Sequence, residues 1–366
     1  LLAVAVSPLT PTLIFAGGYY RTVSPQVQYA ALFRSADGGD TWSEVLSTTY
    51  GSEQQFTDIV VHPTTPTLVY AGTQNNKAVY RSLDAGLSWT EVYTDRGFRL
   101  ALDPPATVYA ADDWRELAVS TADGDPGTWD GRVGGSLTPD RMQAMAIDNA
   151  EPAAVGDAVL YLGFRERGIG RSDDGGLTWE IRNAGIAAAT VPSHIEIDPQ
   201  NQSLIYVATG CDGGWRTGDN GQTWDRLLGD CISQFAVHPQ DSSVIYAGIT
   251  GDASKAVLRS DDGGGSFADS YTGTADIHAV AVARGDTNVV LAGGEDGGGA
   301  TLVRTTDAGA TWTEVFSLAD GVVTSLAIHP TDANQALIGV TDGTGPSDSG
   351  AIYRTTDGGA SWTLVY

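Results

Sequence analysis

Between residues 56 and 93 the apolar and polar positions fall into four short runs separated by breaks. "FTDIVV" alternates apolar with polar residues, and "HPTTPT" stops it with two prolines. "LVYAGT" is a second run, turned by "NN", and "AVYRS" is a third. "LDAGLS" turns the chain again, and "WTEVY" is the fourth. Short alternating runs bounded by Gly, Pro, Asn and Asp predict strands joined by tight turns. No segment of the chain sustains the apolar period of a helix. This stretch therefore predicts a four-stranded antiparallel meander.

The unit recurs. "RSADGGDTWSEV" at 34–45 returns as "RSLDAGLSWTEV" at 81–92, "RSDDGGLTWEIR" at 171–182 and "RTTDAGATWTEV" at 304–315. Aligned on the aromatic that ends the phrase, the copies fall at Trp42, Trp89, Trp129, Trp179, Trp224, Phe267, Trp312 and Trp362. The steps are 47, 40, 50, 45, 43, 45 and 50 residues. Repeated four-stranded units of this length are the sequence signature of a β-propeller. The expected fold is all-β: one propeller of eight four-stranded antiparallel blades. The blades are placed near 1–47, 56–93, 98–133, 142–183, 193–228, 232–271, 276–317 and 322–366.

Charge narrows the partners. The 366 residues hold 45 acidic against 20 basic side chains, a net charge of −25. Nucleic-acid binders neutralise phosphates with clustered Lys and Arg, so this balance argues against DNA, RNA and anionic membrane surfaces. No run of about 20 apolar residues is present to span a bilayer. Leu1 opens inside a strand-like run, "LLAVAVSP", without an initiator Met, which reads as a processed or partial chain.

The phrase Ser/Thr-x-Asp-x-Gly-x-Ser/Thr-Trp resembles the Asp-box, or bacterial neuraminidase repeat. That repeat occurs in sialidases, xyloglucan-type glycoside hydrolases, sortilin-like receptors and photosystem assembly factors. Its aspartates here are Asp37, Asp84, Asp174, Asp219, Asp262, Asp307 and Asp357, with Asp123 in a degenerate third copy, "STADGDPGTW", that carries an insertion and Pro126. The phrase closes the hairpin between third and fourth strands. A short Asp side chain accepts N–H bonds from its own turn, and the Gly two places on takes a positive φ at little cost. The Trp buries a large flat surface between blades. These roles are structural, and the Arg before each Ser/Thr is expected to be structural too.

Function is therefore sought on the opposite rim, where loops do not repeat. That rim carries the second-to-third-strand loops: "GGYYRTVSPQVQY" (17–29), "DDWRE" (112–116), "FRERG" (164–168), "CDGGW" (211–215) and "DGTGPSDSG" (342–350). Tyr19, Tyr20, Arg21, Trp114, Arg115, Arg165, Glu166, Arg167 and Trp215 are the candidate binding residues, since aromatics and Arg commonly anchor binding sites.

The enzyme reading is the alternative. Sialidases carry an early Phe-Arg-Ile-Pro motif; here "FR" at 33–34, 98–99 and 164–165 is never followed by Ile-Pro. Xyloglucan-type hydrolases place two carboxylates in a cleft between two propellers, and eight blades make one. Asp112 and Asp113 are adjacent, so on a strand end they point opposite ways. A raised-pKa carboxylate facing a second one across a rim pocket would mark a hydrolase. "DDGGG" (261–265) is part of an Asp-box and "EDGGG" (295–299) lacks full calcium-ligand spacing, and no motif implies a cofactor or metal.

Cys211 and Cys231 are the only cysteines, 20 residues apart. The propeller puts both on the variable rim, where blade five meets blade six, which predicts a disulfide; two free buried thiols are the alternative. A disulfide places the chain outside the reducing cytosol. The sequence reads as a non-enzymatic, extracytoplasmic binding or scaffold propeller for a protein partner or glycan. A glycoside hydrolase acting on a surface polysaccharide is the runner-up.

Overall fold

The computed structural model describes residues 3–21, 28–48, 55–74, 78–94, 99–111, 117–132, 141–148, 158–186, 190–252, 254–341 and 350–365. Its strands form eight four-stranded antiparallel sheets, each built from four consecutive strands. The first strands are Ala3–Val6, Gln55–Val61, Arg99–Asp103, Met142–Asp148, His194–Ile197, Cys231–Val237, Asp276–Val282 and Val322–Ile328. They lie side by side around a lumen, with the eighth against the first. The fold is an eight-bladed β-propeller, as the repeat predicts.

Eight apolar clusters fill the eight seams. Between blades one and two, Phe15 and Leu32 meet Phe56, Ile59 and Val69. The aromatic that ends each phrase packs into the seam with the preceding blade: Trp89 there, Trp179 with Leu117 and Val119, Phe267 with Tyr206 and Ala208. Blade eight meets blade one through Leu337 and Ile352 against Ile14, Ala16 and Phe33, with Trp42 alongside. Among the described residues no strand is exchanged at this joint, so side-chain packing and the Arg354–Asp40 ion pair close the ring.

The repeated turn is a closed hydrogen-bond unit. In blade seven, Thr305 Oγ1 donates to Asp307 Oδ1 (2.7 Å) and accepts from Gly309 N (2.9 Å). Asp307 Oδ1 also accepts from Thr311 N (2.8 Å), and Oδ2 from Thr311 Oγ1 (2.6 Å). The same carboxylate bonds recur at Asp37, Asp84, Asp174, Asp219, Asp262 and Asp357. Donors aimed at a carboxylate favour its charged form. They hold Asp84, Asp219, Asp262, Asp307 and Asp357 at about 2, below the ordinary 3.8. A depressed pKa contributes stability above the unfolded value, lost as pH falls through about 2. Asp307→Ala is accordingly expected to lower the melting temperature by a few degrees without changing partner binding. Lost binding at an unchanged melting temperature would give this aspartate a ligand role instead.

The residue before the turn glycine joins adjacent blades. It has a positive φ at Gly38, Ala85, Asp123, Gly175, Asn220, Gly263, Ala308 and Gly358. Its N–H bonds to the first turn of its own blade, as in Ala85 N to Thr67 O (2.9 Å) and Ala308 N to Asn288 O (2.9 Å). At six of these positions its carbonyl accepts from an Arg of the preceding blade, as in Arg34 Nε to Ala85 O (2.6 Å), Arg81 Nη1 to Asp123 O (2.6 Å) and Arg259 Nη1 to Ala308 O (2.7 Å), whereas Arg304 bonds to Asn334 and Arg354 pairs with Asp40. Blade three has no Arg before its Ser, and Arg132 reaches Gly175 O instead (2.9 Å). Arg182, from the end of blade four, takes Asn220 O (3.1 Å), while Arg171 turns to Tyr161 and Asp173. The following glycine also has a positive φ, and at Gly86 a Cβ would collide with the Phe15 ring.

Blade three corrects one expectation. Asp123 does not hold the aspartate position; it occupies the positive-φ position, and its N–H bonds to Ala106 O (2.8 Å). Ala122 stands where the other copies have Asp. Ser120 Oγ still accepts from Gly124 N (3.1 Å), and Thr128 Oγ1 replaces the missing carboxylate (2.6 Å). The insertion adds two residues between Gly124 and Trp129 and leaves the Ser-to-Gly spacing unchanged.

Candidate functional site: the variable rim and the lumen

Tyr19, Tyr20 and Arg21 end the second strand of blade one, Ile14–Arg21, where Tyr19 is half-buried. Trp114 and Arg115 lie outside the described residues, as do Asp112 and Asp113. Arg165, Glu166 and Arg167 form the turn between Val159–Phe164 and Gly168–Ser172, with Arg165 and Glu166 exposed. Asn183 pins this turn: its Nδ2 donates to Arg167 O (2.5 Å), and its Oδ1 accepts from Ile169 N (2.9 Å). Blades one and four carry these two groups to separate points of one rim.

Trp215 is a correction. The loop reading put it at the rim, but it lies within the third strand of blade five, Gly214–Thr217, and is 8% exposed. It packs in the seam between blades four and five with Ile195, Val207 and Trp224. The Arg226 guanidinium sits 5.8 Å from its ring centre. Cys211 and Cys231 form the expected disulfide, joining the second turn of blade five to the first strand of blade six. Beside it, Ile232 N donates to Gly210 O (3.0 Å).

The lumen holds a set of polar residues that sequence reasoning missed. Five first strands shift register near their start, between Phe56 and Asp58, Met142 and Ala144, Ile232 and Gln234, Ile277 and Ala279, and Val323 and Ser325. A bulge adds one residue and reverses which face follows. Hence Phe56 and Ile59, three apart, share one core, while Asp58 faces the lumen. A cavity of 190 Å³ toward the variable rim is lined by Asp58, Arg99, Gln143, Ser193 and His194 among others. A second, of 520 Å³, lies toward the repeated turns and is lined by Glu196, Gln234, Gln240 and Arg284 with apolar neighbours. Ala5, Val60, Ala101, Met145 and Ile147 line an apolar third cavity of 480 Å³.

Burial moves the lumenal titrations. Asp58 is raised by burial, against a hydrogen bond from Leu100 N (2.8 Å) and the nearby Arg99. Burial, then Arg99, lowers His194 to about 4, so the ring is neutral at pH 7. Its Nε2 is 3.9 Å from Glu196 Oε2. Burial, with Asp198 adding to it, pushes Glu196 up to about 7 against the pull of Arg284. A carboxyl raised in the fold contributes stability below its unfolded value and loses it as pH rises through about 7. Asp103 is also raised by burial but lines neither polar cavity. Among the described residues each polar cavity thus presents a single carboxylate, Asp58 in one and Glu196 in the other. No group of three or more metal-ligating side chains occurs among the described residues.

These features define a ring-closed eight-bladed propeller with a pinned, irregular rim and a polar lumen. No family model matches the chain. It is 26% identical over 231 residues to a xyloglucanase of Paenibacillus sp, covering 61% of this chain and 20% of that protein, so it spans about a fifth of that relative's length. Sqt1 of Chaetomium thermophilum, solved bound to the N-terminus of the ribosomal protein L10, has a similar fold. Its TM-score is 0.67 at 14% identity, covering 93% of each chain. YCF48 bound to D1 peptide has a TM-score of 0.50 at 15% identity, covering 93% of this chain and 94% of that one. At these identities the structural likenesses show the fold alone.

Proposed function

We propose that the chain is a non-enzymatic, extracytoplasmic binding propeller whose variable rim receives a protein partner, with a glycan as the alternative occupant. The observation that carries this reading is that, among the described residues, each polar cavity is lined by a single carboxylate. Glycoside hydrolysis by the usual route needs two carboxyl groups flanking one bond, about 5–9.5 Å apart. The pinned 164–168 turn supports the binding role, since it presents Arg165 and Glu166 from a fixed base. The disulfide supports the extracytoplasmic setting. Two propellers of similar fold carry peptide or protein segments in their solved structures. The resemblance to Asp-box proteins is part of the same proposal.

The similarity to a xyloglucanase keeps a hydrolase as the second reading. Incubation with xyloglucan is expected to release no reducing ends above buffer. Peptide and glycan arrays are expected to show binding that weakens about tenfold in the double variant Arg165→Ala/Arg167→Ala, at an unchanged melting temperature. Release of reducing ends that disappears in Asp58→Asn or Glu196→Gln would replace this function with a glycosidase. Array binding indifferent to both arginines would move the site off this turn.

A further inference from the structure

Glu196 is a lumenal carboxyl without a hydrogen-bond donor among the described residues. Its side chain is 35% exposed, so the carboxyl is partly open to the lumen. Its own strand offers His194 at 3.9 Å, and Asp198 lies just past the strand's end. Asp198 is fully buried, and its Oδ1 already accepts from Gln200 N (2.7 Å) and Asn201 N (3.2 Å). The neighbouring strand of blade six offers an amide, Gln234, whose Oε1 accepts from Val280 N (3.3 Å). On the other side, the first strand of blade four offers Gln143, with Asp148 at its end. Two residues beyond the end of the first strand of blade seven, the exposed Arg284 lines the same cavity. It acts on Glu196 through space, and no ion pair joins the two among the described residues. A carboxyl and a guanidinium thus line one 520 Å³ cavity without engaging each other. The volume is in the range of small-molecule sites.

The charge of this wall is unusual for the molecule. The chain as a whole carries −25. In the cavity wall Glu196 and Arg284 are the ionisable side chains among the described residues. Arg stays cationic at any working pH, whereas a carboxyl near its own pKa is neutral much of the time. A neutral carboxyl donates one O–H, and the amides of Gln234 and Gln240 carry further N–H donors. One fixed cation with neutral donors around it matches a carboxylate, which Arg binds with two parallel bonds.

We propose that the cavity among the first strands of blades five, six and seven binds a carboxylate group, with Arg284 as its cation and the Glu196 carboxyl as a hydrogen-bond donor to it. The site opens toward the repeated turns, at the rim opposite the proposed partner surface, and does not depend on that reading. Binding keeps the Glu196 proton in place, because two carboxylates in one low-dielectric cavity repel. The site therefore takes up protons when it fills at neutral pH and empties as pH rises. A binding-competent state that is fractionally populated weakens the apparent affinity by that fraction. With a competent protonated form titrating at about 7, affinity falls about tenfold from pH 6 to pH 8.

The carboxylate could belong to a uronic acid or to a peptide terminus or acidic side chain, and calorimetry with D-glucuronate and N-acetylglycine separates these sources. Titrations run at pH 6 and pH 8, with methyl glucoside and methylammonium as neutral and cationic controls. At least one carboxylate is expected to bind at pH 6 and to weaken about tenfold at pH 8, while both controls give no heat. Titrations near pH 7 in two buffers of different ionisation enthalpy are expected to show net proton uptake. Arg284→Gln, at an exposed position, is expected to abolish binding. Glu196→Gln is expected to keep binding at pH 6 and to remove its pH dependence, since the amide still donates. No binding of either carboxylate at pH 6 overturns the proposal, as does equal binding at pH 6 and pH 8, binding of methylammonium in their place, or Arg284→Gln with undiminished affinity.

Discussion

Trp215→Ala is expected to lower the unfolding free energy by about 3–5 kcal/mol, the usual cost of truncating a buried large aromatic. The indole is 8% exposed and fills the seam between blades four and five, beside Ile195, Val207 and Trp224. Alanine leaves a cavity that the two sheets cannot close, because each is held in register by its own ladder. Its indole N–H finds no partner among the described residues, so the loss is one of packing rather than of a hydrogen bond. Urea unfolding measures the effect, with Trp215→Phe as an intermediate case that keeps most of the apolar surface. A wild-type midpoint in the alanine variant, combined with weaker partner binding, would return Trp215 to the list of rim contacts.

The disulfide is expected to have the next largest effect. Cys211 and Cys231 close a loop of 20 residues, worth about 3 kcal/mol in the chain-entropy model. The double variant Cys211→Ser/Cys231→Ser is expected to unfold at a lower temperature while keeping its sheet signal below the transition. The bond also fixes the second turn of blade five against the first strand of blade six, so its loss is expected to speed hydrogen exchange at Ile232 N, which donates to Gly210 O across that joint. Titration of the denatured, unreduced protein is expected to find no free thiol; two reactive thiols would remove the bridge and the main support for an extracytoplasmic setting.

Much of the architecture was legible because it is local. The aspartate, the glycine and the hydroxyls of each phrase bond within five or six residues, so the turn is written wherever the phrase is written. The tryptophan spacing gave eight units, and the structure has eight sheets. The histidines before proline bond just as locally. His62 Nδ1 accepts from Thr65 N (3.1 Å), and His329 Nδ1 from Asp332 N (3.1 Å), which makes them turn acceptors. The cysteine pairing followed from placing both residues on one rim.

Errors arose where one residue of register mattered. The third copy of the phrase contains an Asp near the expected place, yet it stands one residue late, directly before Gly124, so Asp123 takes the positive-φ position and Ala122 stands where the other copies have Asp. Trp215 follows two glycines and resembles loop, but the strand begins at Gly214 and turns the indole into the seam.

The sequence by itself determined the number of blades, the chemistry of their turns and the aromatic that fills each seam, because each is decided within one repeat by short-range bonds and alternation. The lumen was decided by tertiary structure alone. Which residues face it depends on bulges that reverse the alternation of the first strands, as at Asp58. What they meet depends on ring closure, which brings Glu196 of blade five and Arg284 of blade seven to one cavity and sets Arg99 beside His194. The same closure makes Arg132 and Arg182 take over inter-blade bonds that the repeat assigns to other positions. A guanidinium needs only to reach the waiting carbonyl, and its place in the chain is secondary.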